Sequence, residues 1–238
     1  MNERLNIDLA RIGKKWVSCF DLLGFSKLTN DSIIQAFDRV ERCLLEAKQE
    51  SLCDHKLRRA WFSDTFLFYT EDDSSSSFGA IDLLSKNFFE MALLRNIPMR
   101  GAMACDEFYA DETNRIFIGS ALVDAFRFGE KCNWVGFVLC PSAVCQIKKL
   151  GETVSNGYKL CDVPTKQKIV RSAEPSEEAI VECSEKMQAL LCGVHLGLGN
   201  GSQFMRALKA MSERTDSPKD KVKYTNSIEF LNHFGIPK

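Results

Sequence analysis

The chain has 238 residues, 45% hydrophobic and 26% charged, with a formal net charge of −1. This balance excludes a strongly basic nucleic-acid binder and an acidic disordered tail, and the length suffices for a substantial core. No apolar run approaches the roughly 18–20 residues of a membrane helix, and the charged start of the chain (Glu3, Arg4, Asp8) has no secretory h-region, so a cytoplasmic protein without a membrane span is expected.

Residues 16–25 form an aromatic-rich apolar run that reads as a buried strand with one carboxylate, Asp21. Gly24 turns the chain, and Thr29, Asn30 or Asp31 can cap a helix over residues 32–50. Its apolar positions Ile33, Ile34, Phe37, Val40, Cys43, Leu44 and Ala47 recur at helical spacing. Strands over 57–62 and 65–70 flank Ser63 and Asp64 at the tip of a hairpin. An exposed loop over 71–77 leads to a second amphipathic helix at 78–95. Pro98 then starts a strand at 99–105, which a polar stretch through Asn114 interrupts. A short strand at 115–119, a helix at 120–131, a strand at 133–140 and a short helix to Leu150 follow. Beyond that point the pattern weakens. Strands are expected at 158–163 and 168–171, and 176–191 is ambiguous between helix and strand. A helix at 202–213 places Phe204, Met205, Leu208 and Met211 on one side; a charged link at 214–223 and a last helix at 226–234 complete the chain. One domain over residues 1–238 is the economical organisation, with a core at 15–150 and a C-terminal extension at 151–238.

The order strand–helix–strand–strand–helix–strand up to Cys105 is the split βαβ arrangement of an α+β, ferredoxin-like sheet. In that layout the first strand lies beside the hairpin, so Asp21 and Asp64 approach each other although 43 residues separate them. An isolated ionised Asp in an apolar strand costs several kcal/mol, roughly, unless a cation or donors compensate it. Two on adjoining strands point to a shared pair of divalent ions, and hard carboxylate oxygens suit Mg²⁺ or Mn²⁺. The turn Leu22-Leu23-Gly24-Phe25 offers backbone N–H groups to a phosphate, and with Phe20 it makes up the candidate nucleotide seat. Phosphoryl transfer needs positive side chains where charge builds. Arg127 and Arg100 are the candidates, although Arg100 reads rather as half of a structural ion pair. By strand alternation Arg58, Ala60, Phe62 and Asp64 share a face, so Arg58 and Phe62 are candidates to meet a base or triphosphate.

The segments Phe20-Asp21-Leu22-Leu23-Gly24-Phe25 and Phe62-Ser63-Asp64 resemble the two metal-aspartate motifs of class III nucleotidyl cyclases. Ile118-Gly119 and the run from Ser120 to Arg127 resemble the glycine-then-helix segment that carries their transition-state arginine. Within that superfamily the chain is most similar to the compact bacterial cyclases of the Pycsar antiphage system, also at residues 134–139, Pro141-Ser142 and 223–226. The resemblance implies a cyclase/palm core with extra strands and C-terminal helices. It implies metal binding by Asp21, Asp64 and the Leu22 carbonyl, and Arg127 on the α-phosphate. It further implies two divalent ions, Mn²⁺ or Mg²⁺, a head-to-tail homodimer, and conversion of UTP to cyclic UMP, with CTP as the runner-up substrate. The product would activate a separate effector protein. Three departures stand out: Val123 replaces an asparagine, Ala60 a base-reading lysine and Ile116 a base-reading acid. The purine-reading polar groups are therefore missing, which argues against cyclic AMP or cyclic GMP as product.

Other features have plainer readings. The ten cysteines include no Cys-x-x-Cys pair and His55, His195 and His233 are scattered, so structural thiols are expected rather than zinc. Residues 197–201 lack the Lys-Ser/Thr of a P-loop. The Asp72-Asp73 pair reads as a solvated loop. Two rival functions remain: a degenerate cyclase-like sensor that binds nucleotide without turnover, and a palm-type transferase that links two nucleotides.

Overall fold

The computed structural model describes residues 11–24, 33–51, 57–152, 158–162, 188–192 and 201–234. The strands are β1 (Gly13–Leu22), β2 (Leu57–Phe62), β3 (Thr65–Thr70), β4 (Met99–Asp111), β5 (Ile116–Ile118), β6 (Gly136–Leu139), β7 (Tyr158–Asp162) and β8 (Gln188–Cys192). The helices are α1 (Ile33–Ser51), α2 (Ser75–Leu94), α3 (Ser120–Lys131), α4 (Pro141–Lys149), α5 (Gly201–Arg214) and α6 (Pro218–Phe234). The strands form one sheet in the order β2-β3-β1-β4-β6-β8-β7, with β5 paired to β4. β4 and β6 run parallel and the other pairs antiparallel. This is the expected α+β, ferredoxin-like arrangement: β1 lies between the β2–β3 hairpin and β4, and extra strands continue past β4.

Alternation along β1 sends successive side chains to opposite faces. Trp16, Phe20 and Leu22 join Phe66, Phe68, Met103 and Phe137 under α1, α2 and the C-terminal helices. Phe20 stacks on Phe137 at 4.8 Å and meets Phe88 edge-on at 5.4 Å. On the other face Val17, Cys19, Ala102, Ala104 and Val138 pack against Ala121 and Ala125 of α3. Ala121, Ala125 and Gly129 recur every four residues, so one stripe of small side chains meets the sheet. A methyl on Gly129 would lie 3.4 Å from the Gly101 backbone. Only small residues let this helix lie so close.

Several expectations are corrected. Ile34 and Phe37 do not turn into the core; they are 80% and 47% exposed, and Phe37 stacks on Trp61 at 4.9 Å. α2 begins at Ser75 inside the expected loop, with Ser74 as its N-cap. Asp72 is not solvated: its carboxylate accepts from the Ser74 amide and from the Ser74 and Ser77 hydroxyls, while Asp73 accepts from Gln146. β4 is unbroken through Asp111, because Asp106 and Glu107 lie opposite Lys15 and Lys14 of β1, and cross-strand opposite charges support a ladder. α6 starts at Pro218, eight residues before the expected start. Proline suits the first helical position, and the Ser217 carbonyl accepts from the Asp220 and Lys221 amides. The end of the ambiguous segment is strand β8. The expected strand at 168–171 and the side chain of Phe25 lie outside the described residues.

The C-terminal helices close the larger core. Phe204, Met205, Leu208 and Met211 of α5 are buried in it. α6 is tied to the approach to β6: the Ser227 hydroxyl accepts from the Val135 amide at 2.9 Å and donates to its carbonyl at 3.0 Å. Asn226 donates to the Asn133 carbonyl at 2.7 Å. Phe230 meets Trp134 edge-on at 5.6 Å.

Candidate active site

Asp21 is the penultimate residue of β1, directly across from Thr65, the first residue of β3. The hairpin tip before Thr65 is Ser63-Asp64, with Ser63 in the left-handed region at φ 55°. The Leu22 amide donates to the Asp64 carbonyl at 2.9 Å, and the Leu23 amide donates to the Pro98 carbonyl at 2.8 Å. Both aspartates therefore sit at one end of the sheet, Asp21 near the end of β1 and Asp64 in the turn that leads into the adjoining β3. Gly24 follows at φ 71°. That conformation suits glycine and turns the chain sharply away from β1.

The cost of burying Asp21 is met inside the chain. Arg100 stands opposite it on β4. Its Nε donates to Asp21 Oδ2 at 2.8 Å and its Nη2 lies 2.7 Å from the same oxygen. Nη1 turns the other way and donates to the carbonyls of Glu130 at 2.6 Å and Cys132 at 3.2 Å, where α3 ends. The arginine side chain is 8% exposed and the aspartate 27%. Arg100 is thus an ion-pair partner, as the sequence suggests, and the partner is Asp21 itself. Beneath them, burial pushes the Cys19 thiol up to about 12, and the Asp21 charge adds to the shift.

Arg127 is placed differently. It is exposed on the side of α3 away from the Ala121–Ala125–Gly129 stripe, beside exposed Val123 and Phe126, and makes no hydrogen bond or ion pair among the described residues. It is not gathered to Asp21 within one chain. Asp124, three residues earlier, is half-buried. Its carboxyl is raised above the usual range by burial and by Asp106, against the pull of Arg127. Gly119 precedes the helix at φ 146°, and a Cβ there would strike the Glu107 carbonyl. The glycine of this segment is thus dictated by close approach to β4.

Phe20 is corrected as a nucleotide contact. Its ring is fully buried among Phe68, Phe88 and Phe137 on the opposite face of the sheet from Arg100. The Leu22 side chain is likewise buried, so only its backbone faces the site. Arg58 and Phe62 share a face of β2 but not a neighbourhood. Arg58 pairs with Tyr69, which pairs with Val17, about 13 Å along the strand from Asp21 at ~3.3 Å per residue. Its guanidinium is held by Glu71 at 3.3 Å and Glu112 at 4.0 Å. Phe62 pairs with Thr65, on the same rung as Asp21, and is 49% exposed.

The donors present fit a hard divalent ion held jointly with substrate phosphate. Asp21 Oδ1 and the Asp64 carboxylate have no protein partner among the described residues. Mg²⁺ is ordinarily held by one or two carboxylates together with phosphate oxygens and water. Among the described residues no group of three His, Cys, Asp or Glu gathers that could hold a metal alone. The cysteines at 19, 43, 105 and 140 are buried free thiols. Among the described residues no helix is long and apolar enough to cross a membrane.

No family model and no curated protein matches the chain. Solved structures do. The catalytic core of a rhodopsin-guanylyl cyclase with converted specificity, in complex with ATPαS, aligns with a TM-score of 0.52 at 12% identity, over 76% of this chain and 96% of that one. The guanylate cyclase domain of RhGC from Catenaria anguillulae, in complex with GTP, aligns with a TM-score of 0.50 at 13% identity, over 75% and 94%. The chain has the α+β palm fold of the nucleotide cyclase catalytic domains.

Proposed function

We propose that the chain is a nucleotidyl cyclase of class III type that converts UTP to 3′,5′-cyclic UMP and pyrophosphate. The observation that carries this reading is the meeting of Asp21 and Asp64 at one end of the sheet, in a fold shared with nucleotide cyclases. Asp21, Asp64 and the Leu22 carbonyl hold the divalent ions. Bound there, Mg²⁺ or Mn²⁺ supplies charge for the leaving pyrophosphate and acidity for the attacking hydroxyl. Of the turn, the Gly24 amide is the donor proposed for the triphosphate, since those of Leu22 and Leu23 are engaged by the Asp64 and Pro98 carbonyls. The ribose 3′ oxygen forms its bond to the α-phosphorus, the α–β bridging P–O bond breaks with its electrons leaving on pyrophosphate, and the hydroxyl proton passes to solvent.

Arg127 steadies charge on the α-phosphate, a role suited to a guanidinium. Because it faces outward from α3, its nucleotide belongs to a second copy, so the active form is a head-to-tail homodimer. Exposed Val123, Phe126 and Ile118 supply apolar surface for that contact. The pyrimidine rests on the missing purine readers at Ala60 and Ile116, and CTP is the alternative substrate. Phe62 replaces Arg58 as the better candidate for the base. A cytoplasmic protein of one domain, making a messenger for a separate antiphage effector, completes the proposal.

Val123, in place of the asparagine of the ordinary cyclases, supports a second reading as a nucleotide sensor without turnover. Incubating the protein with Mn²⁺ and each of the four NTPs, with mass spectrometry of the products, separates the readings. The expected product is cyclic UMP. Nucleotide binding by calorimetry without any product would favour the sensor, and linked dinucleotides would favour a palm-type transferase.

A further inference from the structure

We infer that Arg100 is the positioning residue of this site: it fixes the Asp21 carboxylate by one oxygen, presents the other to the cation, and ties it to the end of the helix that carries Arg127. The inference rests on the reading of Asp21 as a metal ligand. Its basis is the geometry of one side chain. Two of the guanidinium donors converge on Asp21 Oδ2 and a third nitrogen meets the carbonyls of Glu130 and Cys132. A planar fork whose donors point at fixed partners has little freedom left. Both contacts to the aspartate use Oδ2, so Oδ1 carries no protein partner among the described residues. A carboxylate locked in this way meets a cation through a single oxygen in a single orientation.

The same side chain links two elements, β1 and α3, that pack together through Val17, Cys19, Ala121 and Ala125. Asp21 belongs to β1 and the two carbonyls to the end of α3, one turn beyond Arg127. Movement of that helix end changes the hold on Asp21, and a cation drawing on Oδ1 is felt at the helix end. Groups that orient a metal ligand from behind are worth about 10–100-fold in metal affinity.

The test uses the whole protein and Mn²⁺ alone, titrated by electron paramagnetic resonance without nucleotide, with thermal melting to confirm folding. Arg100→Lys keeps the positive charge and removes the fork. Its Mn²⁺ affinity is expected to fall by about tenfold or more, whereas a folded variant with unchanged affinity overturns the inference. Asp21→Asn is the control for the underlying reading. If it leaves Mn²⁺ binding intact, Asp21 is no ligand and that reading fails. If it removes binding while Arg100→Lys does not, only the positioning role fails. Should Arg100→Lys not fold, the native protein still decides. The Arg100 Nε–Hε NMR signal should exchange slowly and shift on adding Mg²⁺, and a signal unmoved at saturating Mg²⁺ contradicts the inference.

Discussion

One face of the sheet is layered with rings; on the other, which keeps Tyr69, Phe108 and Trp134 of its own, small side chains meet small side chains beneath α3, and the proposed site sits on that side. Beneath α1 and α2, Trp16, Phe20, Phe66, Phe68, Phe88 and Phe137 make a thick aromatic layer. Beneath α3, Ala102 and Ala104 meet Ala121 and Ala125, and Gly101 meets Gly129. Closeness there has a consequence. It brings the helix end within reach of Arg100, and through Arg100 to Asp21. Large side chains stabilise; small ones let polar groups from two elements touch.

That contrast is easiest to break by separating activity from stability. The Asp64 carboxylate has no protein partner among the described residues, so Asp64→Asn should cost little stability. If it holds a catalytic ion, the variant loses turnover by about 10³-fold or more, since a lost metal contact forfeits several kcal/mol of transition-state stabilisation. Steady-state assays beside a urea melt check both halves. Phe20→Ala makes the opposite test on the aromatic side. Loss of a fully buried ring costs about 3–5 kcal/mol, visible as an earlier urea midpoint, with Mn²⁺ affinity unchanged in the fraction that stays folded.

The smallest effect sharpens the boundary between the faces. Burial and Asp106 raise the Asp124 carboxyl above its ordinary range, so the folded state binds its proton more tightly than the unfolded chain. The ionised form is therefore a liability once pH passes the ordinary carboxylate range near 3.9. Asp124→Asn should melt higher than wild type at pH 7, and the difference should shrink to nothing as pH falls below that range.

Much of this arrangement was legible in the sequence, for reasons that differ between elements. Strands 57–62 and 65–70 and helix 120–131 announce themselves by local periodicity and turn residues, and their bounds coincide with β2, β3 and α3. The neighbourhood of Asp21 and Asp64 followed from topology alone, because a split βαβ sheet places β1 beside the hairpin. What local pattern misses is partnership across the sheet. Asp106 and Glu107 look like a strand break until Lys15 and Lys14 stand opposite them. Phe20 looks like a neighbour of the site by adjacency to Asp21, but adjacent residues of a strand face opposite ways. The Arg100–Asp21 fork was equally hidden, since 79 residues separate the pair. A charge-to-charge register between β1 and β4 was the signal available. Base choice has no such signal here: Phe62 stands on the Asp21 rung, and Arg58 is already engaged by Glu71 and Glu112.

The central claim is a cyclase site split between two copies, with the metal aspartates on one and Arg127 on the other. Mixing two inactive variants, Asp64→Asn and Arg127→Ala, tests it most directly. Random pairing makes half the dimers mixed, and each of those regains one of two sites, so UTP turnover should return to about a quarter of wild type. Wild-type activity with no recovery in the mixture would contradict it.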